Sequence, residues 1–258
     1  MWIRRLLRRR RRDNKPRRMR DEMKRSEINQ IMRNGLDFLE QRKFHLPPFA
    51  TWSPSDWKRK GTECRDIIRQ QLGWDITDFG SGDFESVGLF LFTIRNGTLE
   101  ELEKKNGKVY GEKVLIVEPG QITPTHFHFQ KMEDIINRGG GVLKIQFWNA
   151  TEDEELAGTD VELSVDGVRT TLPAGGILTL TPGESVCIGQ RQYHTFWGEE
   201  GRGTVLVGEV SRVNDDYRDN RFHEPLGRFP EIDEDEEPLF LLYDDYESYY
   251  PHFDAVSS

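Results

Sequence analysis

The stretch Gly120-Gln-Ile-Thr-Pro-Thr-His126-Phe-His128-Phe-Gln-Lys131-Met-Glu133, closed by Gly140, decides how this chain folds. Residues i and i+2 of a β-strand share a face, so His126 and His128 point one way while Phe127 and Phe129 point the other. A carboxylate follows at Glu133, and a further imidazole, His194, lies far downstream. Three imidazoles and one carboxylate make a mixed nitrogen–oxygen set suited to Mn, Fe, Co, Ni or Zn. These four residues are the candidate metal ligands.

The spacing is more specific than the residue types. Glycine, five residues, His-x-His, four residues, Glu, six residues and glycine resembles the first motif of the cupin superfamily, and 120–140 matches it throughout. The second cupin motif brings the last histidine after a Pro-x-Gly turn. Here Gly176 and Pro182 are correctly spaced, but Gly183 follows the proline at once, and His194 arrives within Gly189-Gln-Arg-Gln-Tyr-His194-Thr-Phe-Trp197. That half is degenerate.

Longer strings resemble one family within the superfamily. Lys113-Val-Leu-Ile-Val-Glu-Pro-Gly120, Thr123-Pro-Thr-His126 through Gly141, Gly208-Glu209-Val-Ser-Arg-Val-Asn-Asp-Asp216, Asp219-Asn-Arg-Phe222 and Gly227-Arg-Phe-Pro-Glu231 are similar to the D-lyxose isomerases. The resemblance runs from about Met23 to Phe253. It implies a mainly β, single-domain cupin jelly-roll barrel and a divalent metal, usually Mn²⁺. It also implies interconversion of free aldoses and ketoses, such as D-lyxose with D-xylulose and D-mannose with D-fructose. A cytoplasmic homodimer is the expected form. It places Lys113 and Lys131 in the site.

Charge divides the chain unevenly. The first twenty residues carry a net charge of +10 and the remainder −19, within a total of −9. A body that acidic argues against general nucleic-acid or membrane binding. No apolar run approaches the roughly 20 residues that a membrane span needs. The arginine-rich start lacks the apolar core of a secretory signal. Residues 1–22 therefore read as a disordered basic extension, in which like charges repel and little apolar surface can be buried. Two cysteines, Cys64 and Cys187, give no disulfide framework and suit a reducing compartment.

Residues 23–87 read as a helical decoration. Ser26 is placed to cap a helix whose Ile28, Ile31, Met32, Leu36 and Leu39 form a 3.6-residue stripe. A second helix is expected near 62–72. Residues 88–258 read as the barrel with a closing C-terminal segment. Short β-rich runs at 89–94, 113–118, 121–129, 141–148, 160–165, 176–180, 184–188, 194–197 and 203–210 are bounded by turn residues. Asp166-Gly167 signals a two-residue hairpin. The acidic run Glu231-Ile-Asp-Glu-Asp-Glu-Glu237 reads as a solvated loop whose first carboxylate can reach the barrel mouth, and Pro238–Tyr243 as a return to the core.

An aldose–ketose isomerase moves a proton between C1 and C2 and another between O1 and O2. The family implies that the transfer passes through a metal-bound enediol, with the metal polarising the carbonyl. Glu133 is occupied as a ligand, so the base must be another group within hydrogen-bond reach. Lys131 and Lys113 are candidates, either neutralised by a lowered pKa or donating while charged. Glu209, Glu224 and Glu231 are the available carboxylates, with Glu209 and Glu231 in the family-like strings. Asp219, Arg221 and Glu224 are candidates for binding sugar hydroxyls. Phe127, Phe129 and Trp148 read as packing residues. A metal-dependent cupin oxygenase and a non-catalytic sugar-binding cupin are the rival readings.

Overall fold

The structure, a computed structural model, describes residues 23–226 and 232–255. Expectations for the basic segment 1–22 and for Glu231 lie outside the described residues. The chain opens with β1 (Met23–Lys24) and α1 (Arg25–Gln41). The strands that follow are β2 (Gly73–Thr77), β3 (Leu89–Arg95), β4 (Tyr110–Val117), β5 (Thr123–His128), β6 (Glu133–Gly140), β7 (Leu143–Asn149) and β8 (Val161–Val165). Then come β9 (Val168–Leu172), β10 (Ile177–Leu180), β11 (Ser185–Ile188), β12 (Gln192–Gly198), β13 (Val205–Arg212), β14 (Asn220–Phe222) and β15 (Ile232–Asp233).

Two antiparallel sheets face each other as a cupin-type barrel. One runs β10-β7-β12-β5-β14; the other runs β2-β3-β4-β13-β6-β11-β8-β9. Their inner faces share a core of Leu91, Leu115, Val117, Ile135, Leu143, Ile145, Phe147, Leu180, Phe196 and Val207, among others. Burying such a side chain contributes about 1.5–3 kcal/mol relative to exposure, and this packing holds the sheets in fixed register around the site.

The expected barrel strands are present, with ends moved by up to three residues. The Asp166-Gly167 hairpin joins β8 to β9, with Val165 opposite Val168 and both turn residues at positive φ. Gly140 ends β6 at φ +90°, where a Cβ would lie 2.2 Å from the Thr204 carbonyl oxygen. Only glycine fits that combination of positive φ and close approach.

The outer face of the larger sheet carries α1. Ile28, Met32 and Leu39 pack on Phe90, Phe92, Val114, Ile116 and Leu206. The helix does not start as expected. Lys24 is its N-cap and Ser26 lies inside the first turn. Asp235, from the acidic run, takes the capping role instead, accepting from the Ser26 N–H at 2.9 Å and its hydroxyl at 2.7 Å. Arg25, only 1% exposed, forks onto Glu234 and Asp245, and Asn29 reaches Glu236 and Glu237. The described residues 233–237 are exposed, as a solvated loop would be, but they also clamp the helix start, supplying an acceptor to the Ser26 N–H and to the Arg25 and Asn29 side chains.

The stretch 23–87 is also not wholly helical. Its second helix is a 3₁₀ turn at Thr62–Cys64 leading into Arg65–Arg69, and β2 pairs with β3 as the edge of the larger sheet. No helix of the described residues is long and apolar enough to cross a membrane.

Candidate functional site

Register brings the histidines together. β12 pairs with β5 so that His194 lies opposite His126. β14 pairs along the other edge of β5, setting Asn220 opposite His128 and Phe222 opposite His126. Directly opposite residues share a face, so all these side chains enter the barrel from the smaller sheet. Glu133, at the start of β6, enters from the larger one. The three imidazoles offer ligand atoms within 4.8 Å of one another, and all three residues are buried.

Their hydrogen bonds fix which nitrogen is free. Nδ1 of His126 meets the Pro124 carbonyl at 2.8 Å, Nδ1 of His128 meets Asn220 Oδ1 at 2.8 Å, and Nδ1 of His194 meets the Gln192 carbonyl at 3.0 Å. Each partner is an acceptor, so each Nδ1 carries a hydrogen, which leaves Nε2 as the nitrogen turned toward the cluster. Desolvation by burial lowers the pKa of His126 and His128, keeping both rings neutral. Nε2 of His128 and of His194 are buried without a hydrogen-bond partner. They face Glu133 Oε1 at 3.3 and 3.2 Å. Lone pairs aimed at a carboxylate oxygen repel unless a cation lies among them. The donor set therefore fits a divalent metal held by His126, His128, His194 and Glu133.

Beside this cluster runs a chain of charges. Lys131 Nζ lies 2.6 Å from Glu133 Oε2 and 3.0 Å from Glu209 Oε1, with all three residues buried. Burial alone would lower the Lys131 pKa, but Glu133, Glu209 and Asp216 outweigh it and hold it above the usual lysine range. Of the two states open to this lysine, the charged donor is the one this arrangement favours. Burial likewise opposes ionisation of Glu133, yet the Lys131 charge and the His128 contact hold its carboxylate well below the usual range. Lys113 lies opposite Glu209 across β4 and β13, and its Nζ lies 2.9 Å from Asp216 Oδ2.

The candidates for sugar hydroxyls sit elsewhere. Asp219 accepts from the Gln130 and Lys131 backbone N–H groups at 2.7 and 2.8 Å, fastening the turn that presents Lys131. Arg221 Nε bonds Glu154 Oε2 at 2.6 Å. Glu224, 79% exposed, lies beside His223. None of the three lines the pocket. Asp75, Thr77, Asp216, Asn220 and Phe222 do, together with Phe79. Alternation explains the offset: once 220–222 is a strand, Asn220 and Phe222 face inward and Arg221 outward. Phe127 is buried against Phe129 and Tyr193 on the other face of β5, as its place in the His-x-His motif implies.

The pocket around the cluster is narrow, with about 50 Å³ of free space. A larger open groove of about 1370 Å³ runs beside α1, but no histidine lines it.

The description D-lyxose isomerase belongs to a family profile that matches residues 23–246. A D-lyxose/D-mannose isomerase of Escherichia coli O157:H7 is 46% identical over 228 residues, covering 88% of this chain and all of the relative. One from Serratia proteamaculans is 48% identical over 225 residues, covering 87% and 98%. Among solved structures, the L-ribose isomerase of Cellulomonas parahominis aligns with a TM-score of 0.56 at 14% identity, covering 83% of this chain and all of that one. That of Acinetobacter sp. DL28 aligns with a TM-score of 0.54 at 12% identity. These likenesses establish a shared fold.

Proposed function

Since the chain belongs to the D-lyxose isomerase family and is an aldose–ketose isomerase, we propose that it interconverts D-lyxose with D-xylulose, and D-mannose with D-fructose, using one divalent metal ion, Mn²⁺ foremost. The observation that carries this reading is the set of three buried imidazoles. Each Nδ1 is anchored, and Nε2 of His128 and His194 turns toward Glu133. Bound there, the ion would polarise the sugar carbonyl and stabilise negative charge developing on its oxygen.

The chain's own residues do the rest. Glu209 is our candidate base: it is buried in the pocket, where its Oε1 accepts from Lys131 at 3.0 Å. Its carboxylate takes the proton from C2 of the aldose and returns it to C1. Charged Lys131 holds the Glu209 carboxylate in place and donates to a sugar oxygen as charge builds there. Lys113 and Asp216, paired at 2.9 Å, offer a donor and an acceptor to the remaining hydroxyls. Glu231 stays a candidate for the second proton shuttle.

Both sugars suit one site, because lyxose and mannose share configuration at C2, C3 and C4 and differ by a single carbon group. Family membership favours isomerisation over the oxygenase and binding-only readings, and Lys131 with Glu209 provides a proton relay that neither of those needs. We also read the enzyme as a cytoplasmic homodimer acting on free sugars, which light scattering of the purified protein tests. The direct assay follows D-lyxose and D-mannose by proton NMR in D₂O. Ketose formation with any deuterium placed at C1 of the ketose supports proton transfer, whereas oxygen uptake without ketose would refute it.

A further inference from the structure

Phe79 is a buried residue at an unusual backbone position. Its φ is +54°, and it is 3% exposed. A bulky residue with positive φ is a steric outlier, and such conformations persist only where surrounding structure enforces them. Here the enforcement is local. Thr77 Oγ1 accepts from the Phe79 N–H at 2.9 Å, and the Asp78 carboxylate accepts from the N–H groups of Gly80 and Gly82, each at 2.8 Å. The loop turns back on itself and drives the Phe79 ring inward, while Ser81 and Gly82 reach solvent.

The ring does not join the packing described above. Phe79 belongs to none of the three apolar cores. It meets Phe222 edge-on at 5.7 Å between centroids, and Phe222 in turn lies 5.5 Å from His126. Both rings line the pocket. The order is therefore His126, Phe222, Phe79, leading outward from the candidate metal cluster.

That order meets the shape of the substrate. The reacting carbons must sit at the histidines, Lys131 and Glu209. Leu89, Leu91, Leu115 and Ile135 of the barrel give the pocket an apolar lining of their own. The unreactive end of the sugar is left to point toward the aromatic pair. A close-packed wall registers a single added carbon group.

We propose that Phe79, backed by Phe222, is the specificity-determining residue for substrate length, meeting the end of the sugar remote from C1 and C2 and weighing a five-carbon against a six-carbon aldose. This rests on the isomerase reading above. The test measures kcat/KM for D-lyxose and D-mannose in the metal-loaded full-length enzyme and in its Phe79→Asn variant. Asparagine tolerates positive φ, so the loop geometry is kept while the ring is removed. The expected result is a rise in the mannose-to-lyxose ratio of about tenfold or more, the range in which one carbon group is discriminated. Phe222→Leu, which widens the same wall without touching the strained loop, raises the ratio in the same direction and serves if Phe79→Asn does not fold. An unchanged ratio in folded, metal-replete variants would overturn the assignment, even if KM for both sugars rose together. Wild-type enzyme that turns over neither sugar would instead refute the isomerase reading itself.

Discussion

Asn220 lies next to the candidate ligands and orients one of them: its Oδ1 accepts from Nδ1 of His128. Asn220→Ala removes that acceptor, so His128 is free to present the wrong nitrogen. Metal affinity should fall about 10–100-fold, read by Mn²⁺ titration, with Asn220→Asp restoring most of it. Wild-type affinity in Asn220→Ala would show that the ring is held by packing alone. For Glu209→Gln, metal content should persist while kcat falls about 10²–10⁴-fold; a normal kcat would move the base to Lys113 or Glu231. Lys131→Ala should lower turnover and metal affinity together, since Nζ also bonds Glu133. Much of this cluster was legible in the sequence, because the His-x-His spacing and Glu133 constrain one another within a single motif. Asn220 and Phe79 were not. The first required knowing that three residues after Asp219 form an edge strand, and the second carries no sequence mark of positive φ.

At the scale of elements, period-two apolar patterns located most barrel strands, and the exceptions are instructive. β6 escaped because its inward positions include the polar Glu133 and Asn137, the latter satisfied by the carbonyls of Gly141 and Leu180. β2 escaped because every residue in it is buried, which erases alternation. The clamp on α1 was hidden because its partners are more than 200 residues apart in sequence. Arg25→Ala would leave Asp245, already pushed up by burial, without its partner guanidinium. Breaking a buried pair costs about 3–5 kcal/mol, and with Glu234 already 55% exposed the Asp245 pairing carries most of it, so urea unfolding should show a loss of at least about 2 kcal/mol; a smaller loss would mean that Asp245 is well solvated. Gly35 allows α1 to lie close to the sheet, since a Cβ there would come within 2.5 Å of the Phe90 ring. That ring is stacked on Trp74 and cannot easily move. Gly35→Ala should therefore destabilise the fold by about 1–3 kcal/mol, although alanine is the better helix former; a rise in melting temperature would contradict this packing.

For the molecule as a whole, every residue lining the pocket lies between Asp75 and Phe222, and the family match begins at residue 23. Deleting residues 1–22 should accordingly leave kcat and melting temperature close to those of the full chain, and a large fall in either would assign that segment a part in the fold or the reaction. The barrel brings three imidazoles and a carboxylate from two facing sheets around one point. The most direct test strips the enzyme with chelator, then adds Mn²⁺ stepwise while metal content and D-lyxose turnover are read on the same samples. The stripped protein should be inactive, with turnover that rises in proportion to occupancy and saturates at a single ion per chain, and His194→Ala should neither bind the ion nor turn over. Full turnover by protein shown by elemental analysis to be metal-free would contradict a metal-dependent reaction.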